Sequence, residues 1–198
     1  MKKNFMTMPC LALALTGFSA NAADIKPFVG GNLAINGVSY SDDLEDLCDE
    51  LGIELPESFM GLGLEAGIKF AADRIYNAAL TFSYDYVFDE TIESDESYWY
   101  MPKIGFSSIS VTYDNYLRVS GNAEYRQDIV LGGGLANATE RVAGEKSDKI
   151  RMVFKIGYNR QISEFVDLYF NGRCFIPTDS DSDVDALFNA NAGVRFVF

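Results

Sequence analysis

The chain has 198 residues, of which 16 are basic, 29 are acidic and none is histidine. Its formal net charge of -13 excludes nucleic acid as an expected partner and argues against electrostatic docking on anionic lipid, because both would be repelled. The length suits one domain.

The N-terminus predicts a cleaved secretory signal peptide. Lysines precede an apolar run from Phe5 to Phe18, and Ala20 and Ala22 form a small-residue cleavage site. We expect Sec export and cleavage after Ala22, which leaves residues 23–198 as one mature domain and removes residues 1–22. Loss of two lysines lowers the net charge from -13 by 2 to -15. The run is too short for a membrane helix.

After the leader, apolar and polar residues alternate in eight segments. Alternate side chains of a strand point to opposite faces, so each segment predicts a strand with one apolar and one polar face. The cleanest alternation runs from Met60 to Phe70, and its ~10 residues fit a tilted membrane-spanning strand. The predicted strands are residues 25–38, 60–70, 75–88, 104–119, 125–137, 150–158, 165–176 and 188–198.

Short turns alternate with four longer loops, predicted at residues 40–59, 89–101, 138–149 and 177–185. In the first of these, Leu44, Leu47, Cys48 and Leu51 are spaced as a helical stripe, which predicts about two helical turns. Ser41 or Asp42 could cap this helix, and Gly52 could end it. The loop is strongly acidic. It could be a lid or a recognition surface, but we favour the interpretation that it is a solvated loop.

Alternating strands with short turns and long loops predict an all-β fold, an eight-stranded antiparallel up-and-down transmembrane β-barrel. The polar face would line the interior, which in a barrel of this size is just wide enough for side chains. Charges of both signs have this inward parity, so we predict a salt-bridged polar plug and no wide pore. This lumen charge network comprises Glu65, Lys69, Asp85, Asp114, Asp128, Arg151, Lys155, Asp167, Arg173 and Arg195.

The last predicted strand carries a motif at its end. Its residues fill the pattern polar-x-Gly-x-x-aromatic-x-aromatic, which resembles the C-terminal assembly signal of bacterial outer-membrane β-barrels. The resemblance implies recognition by the barrel-assembly machinery and by periplasmic chaperones. The four matching positions are Asn191, Gly193, Phe196 and Phe198.

The mature chain as a whole resembles the small eight-stranded outer-membrane barrels of the opacity-protein and OmpA-barrel type. The segments that carry the resemblance are residues 23–31, 129–135, 165–173 and 191–198. The resemblance implies a location in the bacterial outer membrane, contact with its lipid and lipopolysaccharide, and a host or surface ligand. It also implies a structural, antigenic or adhesive surface protein, with the acidic external loops as the binding surface.

Two other functions are weighed against this one. The outer-membrane enzymes of similar size use a histidine base, and this chain has none, so we expect no enzyme, no catalytic residue and no cofactor. A narrow, porin-like channel for small solutes is the main alternative.

Two smaller features of the sequence each allow more than one interpretation. Residues 179–185 alternate as Asp-x-Asp-x-Asp-x-Asp, like the opening of a calcium loop, but Val184 and Ala190 replace the expected Gly and Glu. We interpret this segment as a solvated acidic hairpin and expect no metal site. Cys48 and Cys174 could form a disulfide in an exported protein, although we favour two free thiols.

Overall fold

Eight antiparallel strands close into one barrel in the computed structural model, which confirms the predicted fold class. The structure describes residues 25–50, 52–71, 76–91, 93–94, 103–120, 126–142, 145–178 and 184–198. Strands β1 to β8 are Ile25–Tyr40, Ser58–Ala71, Tyr76–Val87, Lys103–Ser120, Gln127–Val142, Glu145–Ser163, Val166–Pro177 and Val184–Val197. Two-residue strands also occur in the first two loops, at Ile53–Glu54, Glu90–Thr91 and Glu93–Ser94.

Each long strand pairs with its neighbours in sequence, and β8 pairs with β1 to close the cylinder. The closing register runs from Phe28 opposite Val197 to Tyr40 opposite Val184, over nearly the full length of both strands. Closure gives the backbone groups of every long strand two partner strands, which is the arrangement that a lipid environment requires. The short connections, the start of β1 and the end of β8 lie at one end of the barrel, here called the turn end. The opposite end is called the loop end.

The two faces of the wall differ sharply in polarity. Leu64 points outward with 66% of its surface exposed, whereas its neighbour Glu65 points inward and is 6% exposed. The same alternation continues around the barrel, so that large apolar side chains cover the outside and polar ones fill the inside. A water-soluble barrel would have the reverse arrangement, because its apolar side chains would leave water.

The first long loop contains the predicted helix, α1, at Asp42–Glu50. The backbone amides of Leu44 and Glu45 both donate to the carbonyl oxygen of Ser41 at 3.0 Å, so Ser41 begins the helix. Gly52 has a φ of 63° and its amide donates to Asp49, which ends the helix in the left-handed region that glycine tolerates. None of the described helices is long and apolar enough to cross a bilayer.

The predicted third loop at residues 138–149 is wrong. Strands β5 and β6 continue as a hairpin to Val142 and from Glu145, with Thr139 opposite Asp148 in the register. The predicted turn at 159–164 also begins too early, because β6 reaches Ser163. The alternation of apolar and polar residues ends where the barrel wall leaves the hydrocarbon core. Backbone pairing between the strands continues beyond that point, so strands made of polar residues extend further into water.

Replacing Leu64 by Arg should cost roughly 2–4 kcal/mol of unfolding free energy, because the new charge would face acyl chains. The measurement is urea unfolding of the protein refolded into phosphatidylcholine vesicles. Leu47→Arg is the matched control: Leu47 is 52% exposed on α1, outside the apolar wall, and the change should stay within about 0.5 kcal/mol. Equal losses in both variants would contradict the assignment of the outer face.

Candidate functional site

The interior of the barrel is filled by buried side chains, both charged and apolar. The apolar ones form one cluster at the loop end and a smaller one at the turn end. The turn-end cluster consists of Phe28, Ala79, Tyr116, Val130 and Val197. The loop-end cluster consists of Tyr40, Phe59, Val87, Ile104, Phe106, Ala136, Val153, Phe175, Val184 and Leu187.

The loop-end cluster closes the mouth of the barrel. The rings of Phe59 and Phe106 meet edge to face with centroids 5.4 Å apart. Leu44 of α1 and Leu55 pack against the cluster from above, and the hydroxyl of Tyr40 donates to the carbonyl of Pro56 at 2.7 Å. The first loop is therefore a cover over an apolar seal. Apolar constrictions of this kind are barriers to water and ions.

The predicted plug was entirely polar, and in this respect the prediction was incomplete. The missing apolar layer has a signal in the sequence: Phe59, Phe106 and Phe175 occupy the inward parity close to strand ends. Near the loop end, an aromatic residue at a sequence position that faces the lumen therefore indicates an apolar seal across the mouth of the barrel.

The structure places all ten residues of the lumen charge network on the inner face of the wall. Each of them has a partner of opposite charge. Two further residues, Arg126 and Glu140, belong to the same set. The pairs are Lys69–Asp167 at 2.5 Å, Arg126–Asp128 at 2.5 Å, Lys155–Asp114 at 2.7 Å, Arg173–Asp85 at 2.6 Å, Arg195–Glu65 at 2.6 Å, and Arg151 with Glu140.

Arg195 of β8 is a hub of the lumen network, and only 1% of its surface is exposed. Its guanidinium donates to Glu65 of β2 at 2.7 Å and to the hydroxyl of Tyr116 of β4 at 2.8 Å. It also lies over the rings of Phe28 and Tyr169, 4.5 and 4.7 Å from their centroids. One side chain of the last strand therefore contacts four other strands, which requires a closed barrel.

Other pairs also cross the lumen. Arg173 of β7 donates two hydrogen bonds to Asp85 of β3, at 2.6 and 2.8 Å, in the bidentate geometry that arginine and carboxylate favour. Lys155 of β6 donates to Asp114 of β4 at 2.7 Å. Gly132 provides the space for this second pair, because a Cβ there would lie 2.3 Å from Asp114 Oδ1. Gly132 is part of a run of three glycines at residues 132–134, and its environment shows that close packing requires a glycine there.

The four residues of the assembly-signal motif occupy different environments in the structure. Asn191 is buried in the lumen wall, and Phe196 and Phe198 project outward. A Cβ on Gly193 would lie 2.4 Å from the carbonyl oxygen of Gly31 and 2.6 Å from the ring of Tyr169, so only glycine fits. The amide of Phe198 donates to Pro27 at 2.9 Å and fastens the last residue to β1.

An acidic surface covers the loop end above the seal. The carboxylates of α1 are exposed, namely those of Asp42, Asp43, Glu45, Asp46, Asp49 and Glu50. Only the side chain of Cys48 in this helix is buried. Burial, and then the charge of Asp49, raise the pKa of the Cys48 thiol. Cys48 and Cys174 are both free thiols.

Several sequence features lie outside the described residues. They are the leader, the later part of the predicted second loop from residue 95 onward, and residues 179–183 of the alternating aspartate segment. Among the residues that are described, no group of three or more cysteine, aspartate or glutamate side chains is placed to hold a metal ion.

Comparison with known proteins shows similarity in fold and not in sequence. No family model and no curated protein matches the chain. The attachment invasion locus protein Ail of Yersinia pestis is 15% identical, with 87% of this chain and 98% of that chain covered and a TM-score of 0.52. Neisserial surface protein A is also 15% identical, with 87% and 97% covered and a TM-score of 0.51. The chain has the fold of the small eight-stranded outer-membrane barrels.

A second Ail structure, in complex with the heparin analogue sucrose octasulfate, is 14% identical, with 88% of this chain and 99% of that chain covered and a TM-score of 0.53. The Ail chain in that structure therefore binds a polyanion.

Arg195→Met should destabilise the barrel by about 3–5 kcal/mol, because it leaves Glu65 charged and buried without its partner. The double variant Glu65→Leu/Arg195→Met should recover most of that loss. Unfolding in urea, followed by heat-modifiable migration on gels, measures both. Arg160→Met on the exposed face is the control and should change stability by less than about 0.5 kcal/mol. A double variant no more stable than Arg195→Met would contradict this account of the pair.

Proposed function

We propose that this chain is a bacterial outer-membrane surface protein whose sealed barrel presents an acidic extracellular surface to a cationic partner. The observation that carries the proposal is the loop-end cluster beneath α1. With the lumen closed by apolar side chains, the exposed loops are the part of the molecule that is available for recognition.

The proposed membrane location rests on the outward apolar wall and on the closed backbone ladder. Outer-membrane lipid and lipopolysaccharide would cover that wall. The proposed route is Sec export with removal of residues 1–22, followed by delivery through periplasmic chaperones to the barrel-assembly machinery. The motif from Asn191 to Phe198 would be the segment that the machinery recognises. The loop end would then face the outside of the cell.

The charge of the loop end sets the proposed ligand class. Eight acidic and no basic residues lie between Asp42 and Glu57, so the surface around α1 attracts cations and repels sulfated polysaccharides. The Ail structure with a heparin analogue has a ligand of the opposite kind. We therefore assign a cationic peptide or protein segment as the ligand, while the shared fold serves only as the scaffold.

A binding role without catalysis agrees with the side chains present. The chain has no histidine, and the buried carboxylates of the lumen are held in ion pairs. We propose no catalytic residue and no cofactor.

In planar bilayers the purified protein should give no steady single-channel current, because both the apolar seal and the paired charges occupy the lumen. A wide outer-membrane porin inserted under the same conditions is the positive control. Discrete, long-lived current steps from the folded protein would favour the narrow-channel function instead.

Protein in vesicles should bind a fluorescent lysine decapeptide, and binding should weaken as salt rises. Changing Asp42, Asp43, Glu45 and Asp46 to the corresponding amides should weaken it about tenfold, or about 1.4 kcal/mol. Glu164→Gln, at the exposed turn end, is the control and should have no effect. Binding of sucrose octasulfate in preference to the peptide would contradict the proposed ligand class.

A further inference from the structure

The acidic helix α1 depends on contacts outside itself. It has only nine residues, and isolated helices shorter than ~12–15 residues are marginal in water. Six of the nine are acidic, none in the last turn is basic, and carboxylates four residues apart repel each other. Contacts with the rest of the chain must therefore hold these charges in place. The repelling pairs are Asp42 with Asp46, Glu45 with Asp49, and Asp46 with Glu50.

The chain from α1 back to β2, residues 53–57 and here called the return segment, is tied to the end of β1. The amide of Val38 donates to the carbonyl of Glu57 at 3.0 Å, which extends the pairing of β1 with β2 by one residue. Further along β1, the hydroxyl of Tyr40 donates to the carbonyl of Pro56 at 2.7 Å. Proline fixes one backbone torsion and restricts the residue before it to extended conformations. The return segment is therefore stiff, so a bond at Pro56 orients the loop as well as attaching it.

Tyr40 joins the wall of the barrel to the return segment. It is the last residue of β1, lies opposite Val184 of β8 and is 5% exposed. Its ring belongs to the loop-end cluster, and Leu44 of α1 packs against the same cluster, as do Ile53 and Leu55. One side chain thus connects the strand, the apolar seal and the loop.

We propose that Tyr40 is the positioning residue of the acidic surface, because its hydroxyl holds α1 in the orientation in which a cationic ligand binds. Tyr40 is buried beneath the loop, so it acts through α1 and not by contact with the ligand. The inference rests on the proposed function, since the ligand is the same cationic segment. Its failure is separable from the failure of that function, because the order of α1 is measurable without a ligand.

The number of carboxylates and their position affect binding in different ways. Long-range attraction depends on the number of charges, and it sets the association rate and the dependence on salt. A surface that is already in place avoids the entropy loss of ordering, and differences of this kind change mainly the dissociation rate. A released loop keeps every carboxylate but has to be ordered by the ligand. Loss of the Tyr40 hydroxyl should therefore speed dissociation and leave the association rate and the salt dependence unchanged.

Tyr40→Phe removes the hydroxyl and leaves the ring in the seal. In vesicles, this variant should bind the fluorescent lysine decapeptide roughly fivefold more weakly, entirely through faster dissociation, in stopped-flow measurements at several salt concentrations. The variant with four amides on α1 should give the opposite pattern, with slower association and a weaker salt dependence. Tyr84→Phe, at a tyrosine 45% exposed on the outer wall, is the matched control and should bind as wild type does.

Hydrogen exchange measures the order of α1 without a ligand. The backbone amides of residues 42–50 should exchange faster in Tyr40→Phe than in wild type, whereas the amides of the long strands should not change. Heat-modifiable migration on gels shows whether the barrel of each variant is folded.

A reversible cross-link tests whether attachment of the return segment is what the hydroxyl supplies. Val38 and Glu57 are directly opposed, and the Cα atoms of such pairs lie within disulfide range. In a Cys48→Ala/Cys174→Ala background, Val38→Cys/Glu57→Cys should cancel the effect of Tyr40→Phe when oxidised. Reduction should bring the effect back, with the same acidic residues present in both states.

The assignment of Tyr40 is overturned if exchange in α1 does not change, if peptide affinity does not change, if the loss lies in the association rate, or if oxidation of the cross-linked variant brings no recovery. Wild type that binds no lysine peptide would overturn the proposed function instead. The exchange result would then still decide whether Tyr40 holds α1 in place.

Discussion

The structure depends on buried charges, most of which find their partners on strands that are not their neighbours in the sheet. Burying an unpaired ion costs several kcal/mol, and the apolar outer wall excludes an escape to water on that side. Arg195 of the last strand satisfies Glu65 of the second and Tyr116 of the fourth. Arg173 and Asp85 join strands on opposite sides of the barrel. Closure of the sheet and neutralisation of the lumen therefore depend on each other.

The narrowness of the lumen also determines what the molecule can do. An eight-stranded wall leaves room for side chains and little else, and here the loop-end cluster adds an apolar seal to the ion pairs. Glycine occupies positions where a larger side chain would overlap a neighbour. A Cβ at Gly132 would collide with Asp114, and one at Gly193 would collide with Tyr169. With the interior occupied by side chains, the acidic cover formed by α1 is the exposed surface of the loop end.

The acidic cover has an electrostatic character that follows from its composition. The exposed face of α1 bears charges of one sign, so it attracts charges of the other sign from a distance, with strong dependence on salt. This is why we propose a cationic partner for that surface. Its position at the barrel mouth is set by the loop-end cluster beneath it.

The sequence by itself determined the polarity of the wall and the number of strands, because a period of two residues assigns each side chain to a face without knowledge of its neighbours. It also indicated α1, from local spacing and from Gly52. Only the tertiary structure decided which charges meet, since the partner of Arg195 depends on how far neighbouring strands are displaced on closure. It also decided the reach of β5 and β6, because polar strands in water carry no apolar alternation and are held by backbone pairing alone.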